Sequence, residues 1–371
     1  MNTKNTWKKY RGELYQRYFS GNIIEVFVTD RIDSVRAKAE LVLNNKIYIP
    51  TDIKLPYPID RSTAGPSSGS LSIALTFINK NVKLVISQNQ NEIYSLQKEN
   101  GKFHILKDKK IFLENVEMMP ILFHAPGQAF INLNNRCIYN CVFCNLSKRG
   151  FLHEYDEEKF IKLIFKASNR SDFHAVALTS GVYPDNVKTI KKMCNIIKNV
   201  KEKLPAIPIG VEPCISSRKE ILLIKKAGAD EIKINLQIPD KYLFDKICPD
   251  FHYNEIPNIL REAVELFGKG KVTSNIIYGV GESDRSVIKA IEKLAKMGVV
   301  PTLRMIRINE LNKKKLEEIS SEKLPDISVN RILKIAHEQK KIIEKHGLTT
   351  QTFETMCHKC GCCDIVPFWD I

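Results

Sequence analysis

Three cysteines stand close together in the motif CIYNCVFC, where Cys137, Cys141 and Cys144 are separated by three residues and then by two. With this spacing, one loop can offer three thiolates to a single inorganic centre. Three thiolates on a four-iron, four-sulfur cube leave one iron without a protein ligand, much as an open position distinguishes a catalytic zinc site from a structural one. The motif therefore predicts a [4Fe-4S] cluster with one iron open to a small molecule. The alternative is a zinc knuckle, which would need a fourth Cys or His nearby.

A second group of cysteines, in CHKCGCC, lies near the end of the sequence and comprises Cys357, Cys360, Cys362 and Cys363. Read as CX2CX2C, it offers Cys357, Cys360 and Cys363 as ligands, with Cys362 spare or acting as a fourth ligand. The CX2C spacing is frequent in metal sites. We expect an auxiliary iron–sulfur cluster here, and a structural zinc site that uses all four thiolates is the alternative.

The elements that position the first motif follow an alternation of strands and helices that begins after about Pro120. One helix starts at Ser217, with Glu220 three residues later as a capping box, and stops at Gly228. Nearly continuous apolar strands, each followed by a helix, indicate a parallel sheet covered by helices. Six such units predict an incomplete (β/α)6 TIM-like barrel, in which working groups lie at the carboxyl ends of the strands. The predicted strands are Gln128 to Asn134, His174 to Thr179, Ile207 to Glu212, Glu231 to Leu236, Lys271 to Ile277 and Val299 to Ile306.

The preceding part of the chain, from about Asn22 to Asn115, consists of short strand-like runs separated by turns such as NKN and KENG. One of these runs is AELVLNNKIYIP, residues 39–50. The predicted fold class is therefore α/β, with additions at both ends of the barrel. We predict a β-rich N-terminal domain over residues 1–119, the partial barrel over 120–350 and a Cys-rich tail with an auxiliary metal site over 351–371.

Composition and charge exclude several classes of protein. The 371 residues carry 57 Lys and Arg against 42 Asp and Glu, a net charge of +15, and 43% of them are hydrophobic, which excludes wholesale disorder. No apolar run approaches the ~18 residues of a membrane span, and the first residues lack the apolar stretch of a signal peptide. We therefore expect a cytoplasmic protein without a membrane partner. The basic residues are spread along the chain, which favours a solvated surface over a nucleic-acid footprint, although an RNA or an anionic protein stays open as a substrate.

The CX3CX2C motif, with Phe143 just before its last Cys and a position after the first strand of a βα repeat, resembles the radical S-adenosylmethionine superfamily. Thr179, Ser180 and Gly181 are similar to the family's glycine-containing segment that meets the amino group of the methionine moiety, without its second Gly and its Glu. The segment from Asn275 to Glu282 resembles the GxIxGxxE segment beside the adenine, with Asn275 in place of the first Gly. The stretches around the fourth and sixth strands look like the branch of biotin synthase, lipoyl synthase and the maturases.

This resemblance implies a mechanism and a set of cofactor contacts. S-adenosylmethionine would bind the open iron of the [4Fe-4S] cluster and be cleaved reductively, and a 5′-deoxyadenosyl radical would take hydrogen from a substrate that we cannot identify. An electron donor such as ferredoxin or flavodoxin is implied as a partner. Arg304 or Arg307 is a candidate for a carboxylate contact, and no catalytic residue is assigned. The expected cofactor-binding residues are Phe143, Thr179, Ser180, Gly181, Glu212, Asn235, Asn275 and Ile277.

Two function classes remain open at this point. The first is a radical S-adenosylmethionine enzyme, whose reaction is sulfur insertion or a step in cofactor or peptide maturation. The second is a non-catalytic iron–sulfur or zinc protein that keeps the barrel and binds RNA or a partner enzyme through its basic surface. The remaining cysteines, Cys194, Cys214 and Cys248, are expected to be structural.

Overall fold

A curled sheet of parallel strands forms the larger part of the structure, and a small closed β-barrel precedes it in the chain. Among the residues described, no helix combines the length and the apolar character that crossing a membrane requires. The computed structural model describes residues 14–19, 22–27, 33–59, 61–63, 68–146, 148, 156–320, 324 and 327–371.

The N-terminal region begins with a pair of antiparallel strands, β1 (Leu14–Phe19) and β2 (Asn22–Phe27). Helix α1 (Ser34–Asn44) follows and packs Ala37 and Leu41 into the core of the closed barrel. The strands of that barrel, here called the N-terminal barrel, lie in the order β3-β5-β4-β8-β7-β6. They are β3 (Lys46–Tyr48), β4 (Ser72–Phe77), β5 (Lys80–Ser87), β6 (Tyr94–Glu99), β7 (Lys102–Lys107) and β8 (Lys110–Met119).

The strand predicted over residues 39–50 is wrong for its first half, which belongs to helix α1. The Asp33 carboxylate caps this helix by accepting hydrogen bonds from the backbone N–H groups of Val35 at 3.0 Å and Arg36 at 3.3 Å. Ala37 and Leu41, one helical turn apart, then face the barrel core. Short runs of Ala, Leu and Val suit both a buried strand and a buried helical face, so the cap decides the outcome.

The larger sheet is an eight-stranded half-barrel in which the strand order follows the sequence. It begins with two short antiparallel strands and continues with six parallel ones, and each predicted strand of the partial barrel overlaps one of these six. The strands are β9 (Ile121–Leu122), β10 (Ala125–Pro126), β11 (Gln128–Asn132), β12 (Ala175–Thr179), β13 (Ile209–Glu212), β14 (Glu231–Lys233), β15 (Val272–Tyr278) and β16 (Val300–Met305).

Helices cover the outer face of the half-barrel and begin and end at recognisable residues. The backbone N–H of Ser217 donates to the Glu220 carboxylate at 3.1 Å, and Gly228 ends the same helix with a φ of 112°, as predicted. The helices are α2 (Glu157–Ser168), α3 (Asn186–Lys203), α4 (Arg218–Ala227), α5 (Lys241–Ile247), α6 (Ile256–Phe267), α7 (Asp284–Lys296), α8 (Lys313–Ser320) and α9 (Val329–Lys345).

The chain after α9, here called the tail (residues 346–371), folds back across the amino ends of the parallel strands. The buried carboxylate of Glu231 accepts hydrogen bonds from the backbone N–H groups of Glu354 at 2.9 Å and Thr355 at 3.1 Å, and from the Thr355 hydroxyl at 2.6 Å. The Gln128 side chain accepts from the backbone N–H of Met356 at 2.7 Å. A short helix, α10 (Met356–Cys360), follows these contacts. The tail thus closes the amino end of the half-barrel.

The opposite side of the tail lies against the N-terminal barrel. Strand β3 pairs with β6 on one side and, on the other, with the end of β5 from Val85 to Ser87. Among the described residues, no strand pairs with the first half of β5 on that side. The tail takes this place, since the backbone N–H of Lys83 donates to the Cys362 carbonyl at 2.9 Å and the Asn81 amide donates to the Cys360 carbonyl at 3.3 Å. The tail is therefore held between the two β structures.

We predict that the Glu231 carboxylate anchors the tail. Replacing Glu231 by Ala removes the acceptor of four hydrogen bonds, three from the tail and one from Lys271 at 3.2 Å, and leaves buried donors unpaired, which should lower the free energy of unfolding by about 3 kcal/mol. Chemical denaturation measures this loss, and limited proteolysis should show cleavage within residues 346–371. The control is Glu354→Ala, whose exposed side chain pairs only loosely with Lys271 at 4.0 Å and should change stability by less than about 0.5 kcal/mol. Equal losses in the two variants would contradict the anchoring role.

Candidate active site

A cavity of about 350 Å³ occupies the lumen of the half-barrel. Cys137, Cys141 and Cys144 line it at the carboxyl ends of the strands, and Cys357 and Cys363 of the tail line it at the opposite end. The topology thus brings both cysteine groups of the sequence, more than 200 residues apart in the chain, to the wall of one cavity.

The loop that carries the first cysteine motif follows β11, as expected for a site at the carboxyl end of a parallel sheet. Two backbone groups donate to its sulfurs, the N–H of Val182 to Cys137 at 3.5 Å and the N–H of Leu146 to Cys144 at 3.4 Å. Burial nevertheless raises the pKa of Cys144 to about 11, so this thiol is neutral without a metal. A metal that binds here has to displace protons from the loop.

The donor set fits an iron–sulfur cluster, because it consists of three thiols on one loop with N–H donors beside two of the sulfurs. In the described part of the chain, no three Cys, His, Asp or Glu side chains are gathered closely enough to enclose an ion. The Cys141 thiol instead forms a hydrogen bond with Cys248, which raises its pKa together with burial. The three sulfurs therefore have to close around a metal rather than receive it in a finished site.

The predicted segment Thr179, Ser180 and Gly181 lies at the end of β12 and lines the cavity. A Cβ atom at Gly181 would lie 2.1 Å from the carbonyl oxygen of Arg136, the residue before Cys137. The backbone N–H of Gly181 also donates to the Asn134 carbonyl at 3.2 Å. This glycine therefore permits the cysteine loop to pack closely on β12.

Three other predicted residues meet in one hydrogen-bonded network on the cavity wall. The Asn235 amide donates to Glu212 at 2.6 Å and accepts from the backbone N–H of Asn275 at 3.0 Å. The side-chain oxygens of Asn275 and Asn132 are buried, and no hydrogen-bond donor reaches either of them within the described residues. Both residues line the cavity. The wall thus offers two unpaired acceptors to the amino groups of a ligand.

Phe143 and Ile277 also line the cavity, so all eight predicted cofactor-binding residues lie on its wall. The segment after Ile277 has a different task. Glu282 accepts from the backbone N–H groups of Gly279 at 2.8 Å and Val280 at 2.9 Å, and it forms an ion pair with Arg331 at 2.8 Å. Glu282 therefore stabilises the turn after β15.

At the tail end of the cavity, two cations hold the sulfur of Cys357. Lys233 donates to it at 3.3 Å and Arg304 at 3.0 Å. Lys233 also pairs with Glu212 at 3.4 Å, and Arg304 pairs with Asp364 at 2.6 Å. Sequence reasoning did not single out Lys233, although a lysine inside the apolar strand EIKINL is a recognisable signal of a lumen position.

The tail cysteines divide into two pairs. Cys357 and Cys363 line the cavity, whereas the thiols of Cys360 and Cys362 contact each other, and this hydrogen bond lowers the pKa of Cys360 to about 7. Arg307, the other candidate for a carboxylate contact, donates to the carbonyl of Val42 in α1 at 2.6 Å. The predicted ligands Cys357, Cys360 and Cys363 are close in the fold, but they are not gathered around one point.

Comparison with known proteins agrees with this geometry. Residues 131–294 match the Radical SAM superfamily. These residues form a radical SAM domain. This match spans the cysteine loop and the strands from β12 to β15, which is the part of the chain that carries the predicted cofactor contacts. Such a domain implies a [4Fe-4S] cluster, S-adenosylmethionine and a reductant, and the predicted resemblance to the superfamily is confirmed.

The relatives of known name fall in the predicted branch. A lipoyl synthase of Caldanaerobacter subterraneus subsp. tengcongensis is 26% identical over 175 residues, covering 44% of this chain and 58% of that protein. A lipoyl synthase of Aquifex aeolicus is 27% identical over 170 residues, with coverages of 44% and 60%. This chain thus spans about three fifths of the length of these two relatives.

Solved structures of radical SAM proteins are also similar. Methylornithine synthase (PylB) is 20% identical, with a TM-score of 0.46 and coverages of 57% of this chain and 63% of that chain. The FeFe-hydrogenase maturase HydG of Carboxydothermus hydrogenoformans is 18% identical, with a TM-score of 0.48 and coverages of 58% and 52%.

We predict that Gly181→Ala displaces the cysteine loop, because the new Cβ would overlap the Arg136 carbonyl. A displacement of about 1 Å at a reacting centre costs about 100-fold in rate, so S-adenosylmethionine cleavage should fall by that order and bound iron should decrease. Iron analysis and product chromatography measure the two effects. The control is Val187→Ala in the first turn of α3, whose exposed side chain should be dispensable. Full iron content and full cleavage in Gly181→Ala would contradict this role.

Proposed function

We propose that the protein is a radical SAM enzyme whose [4Fe-4S] cluster is held by Cys137, Cys141 and Cys144 and whose substrate binds in the lumen. The observation that carries the proposal is the single cavity with the cysteine loop at one end and Cys357 and Cys363 at the other. A substrate in this cavity would lie between the two cysteine groups.

The chain's own residues would bind and orient the cofactor. Asn275 and Asn132 present unpaired amide oxygens to the cavity, and these suit the amino groups of S-adenosylmethionine. Glu212, held by Asn235 and Lys233, supplies a fixed carboxylate for a hydroxyl or an ammonium group. Phe143 and Ile277 add apolar contacts. When bound, the cluster and S-adenosylmethionine supply a 5′-deoxyadenosyl radical that abstracts hydrogen from the substrate.

The fold would also exclude water and stray hydrogen donors from this chemistry. Apolar side chains dominate several stretches of the cavity wall, among them Phe130, Leu146, Ile277 and Ile306. The tail closes the amino end of the lumen through its contacts with Gln128 and Glu231. A mainly apolar cavity that is covered at one end limits the access of water to a reactive species.

We assign a second metal centre to the tail, with Cys357, Cys360 and Cys363 as ligands and Cys362 as a candidate fourth. The support is chemical, since the four thiols lie within one short segment beside buried cations. Its identity as an iron–sulfur cluster, rather than zinc, belongs to the same proposal. The N-terminal domain over 1–119, the barrel over 120–350 and the tail domain over 351–371 are proposed as the units of the protein.

Sulfur insertion into an unactivated C–H bond is the reaction class that we favour. The named relatives are lipoyl synthases, and the second cysteine group opens onto the same cavity as the first. A sulfur-bearing centre at the tail would therefore lie within reach of a substrate carbon. Maturation of another cofactor or of a peptide is the competing reaction class. A ferredoxin or flavodoxin would deliver the electron, and we propose a cytoplasmic location.

We predict that the anaerobically reconstituted and reduced protein converts S-adenosylmethionine to 5′-deoxyadenosine. Replacing Cys141 by Ala should lower this conversion by at least about 100-fold, because two thiolates do not hold the cluster in place. Cys194→Ala is the control, since Cys194 lies on α3 away from the cavity. Liquid chromatography of the nucleoside products measures the reaction. A protein with full iron content that forms no 5′-deoxyadenosine would refute the enzymatic proposal.

A separate prediction concerns the tail. Changing Cys357, Cys360 and Cys363 together to Ala should remove one metal centre and leave most cleavage of S-adenosylmethionine intact, because the cysteine loop lies at the other end of the cavity. Iron and zinc analysis together with electron paramagnetic resonance of the reduced protein measure the loss. An unchanged metal content in the triple variant would exclude the second centre.

A further inference from the structure

Lys83 of the N-terminal barrel is buried beside the tail cysteines. Its side chain is 5% exposed, and its ammonium group donates to His124 Nδ1 at 2.9 Å, to the His124 carbonyl at 3.1 Å and to Ser62 Oγ at 3.3 Å. All three acceptors are uncharged, since burial and the neighbouring cations lower the pKa of His124 well below its usual value. Within the described residues, no carboxylate lies within ion-pair distance of Lys83.

The tail cysteines lie next to the side chain of Lys83. His124, which accepts a hydrogen bond from the Lys83 ammonium group, lines the same cavity as Cys363. The backbone of the same residue holds the tail, through the hydrogen bond from the Lys83 N–H to the Cys362 carbonyl at 2.9 Å. One residue of β5 therefore both fixes the course of the cysteine segment and places a cation beside it.

The charges buried around the tail also suit an anionic centre. In the part of the chain that the structure describes, buried cations outnumber buried carboxylates there by five to four. An uncompensated charge in a low-dielectric interior is costly, so this arrangement favours a centre that carries negative charge. A metal bound by four thiolates has this character. The cations are Lys38, Lys83, Lys233, Arg304 and Arg307, and the carboxylates are Glu212, Glu231, Asp364 and Asp370.

We propose that the N-terminal barrel is part of the second metal site and that Lys83 is its positioning residue, which stabilises the thiolates of the tail when they hold a metal. This inference rests on the second metal centre of the proposed function. It gives the N-terminal barrel a task at the site, because Lys83 reaches the tail from the side opposite to Lys233 and Arg304, which belong to the half-barrel.

The test measures cobalt(II) binding rather than turnover. In the full-length chain with Cys137, Cys141 and Cys144 changed to Ala, cobalt(II) bound by the tail gives thiolate-to-metal absorption bands. Removing a residue of this kind beside metal ligands typically weakens binding 10- to 100-fold, and we expect a loss of that size in Lys83→Met. Lys83→Gln, which keeps a hydrogen-bond donor but no charge, should lose a similar factor. Lys83→Arg should retain most of the affinity.

Lys80→Met is the matched control for these variants. Lys80 belongs to the same strand and donates to the tail carbonyl of Trp369 at 3.0 Å, but it is only half-buried and is not among the groups that act on the tail thiols. Its cobalt affinity should equal that of the parent. Thermal unfolding of the metal-free variants checks that each one folds, and Lys83→Gln replaces Lys83→Met if the latter does not.

The outcomes separate this inference from the proposed function. If Lys83→Met or its folded substitute binds cobalt(II) as tightly as the parent, or if Lys80→Met loses as much affinity, the role of Lys83 is overturned while the second centre stands. If the parent itself shows no thiolate-to-cobalt bands, the second centre fails and the role of Lys83 fails with it. Formation of 5′-deoxyadenosine by the protein with all its cysteines is independent of both results.

Discussion

The buried carboxylate of Glu231 is the contact on which the shape of the site depends. It stands at the amino end of β14 and accepts three hydrogen bonds from Glu354 and Thr355, the residues that lead into the cysteine segment. Because a half-barrel is open at both ends, a chain that is held across the amino end leaves the cavity open at the carboxyl end only. Gly210 makes room for this contact, since a Cβ there would lie 1.9 Å from the Thr355 hydroxyl oxygen.

A continuous set of polar contacts runs through the lumen from one cysteine group toward the other. Asn275 and Asn235 contact Glu212, Glu212 pairs with Lys233, and Lys233 donates to the sulfur of Cys357. Low local dielectric strengthens each contact and makes any missing partner costly. Only two charged side chains, Glu212 and Lys233, lie between Asn235 and the sulfur of Cys357.

The sequence predicts the half-barrel well because its signals are local. Apolar runs mark each parallel strand, and the capping box of Ser217 and Glu220 with Gly228 marks a helix to the residue. The cysteine loop also follows from its spacing and its place after β11. The eight predicted cofactor contacts reach the cavity because strand ends of a parallel sheet converge at one edge. The resemblance to the superfamily is confirmed, whereas the roles of these residues remain proposals.

The features that the sequence did not predict depend on contacts between distant parts of the chain. Helix α1 resembles a strand in its sequence, and the Asp33 cap and the barrel core decide its form. No local sequence pattern indicates that Lys83 contacts Cys362 or that Glu231 binds Thr355. Buried lysines are rare in general. Lys83 and Lys233 could therefore have been noted as unusual positions, but their partners require the folded structure.

The charges along the lumen differ between the cysteine loop and the tail cysteines, although both offer thiols as ligands. Near the cysteine loop, the cavity wall carries Glu212 and the unpaired amide oxygens of Asn132 and Asn275, which favour a ligand with positive groups. Near the tail, the surplus of buried cations favours an occupant with net negative charge. S-adenosylmethionine carries a sulfonium and an ammonium group, and a metal held by thiolates is anionic. The cavity wall thus differs between its two ends, with unpaired acceptors near the cysteine loop and buried cations near the tail.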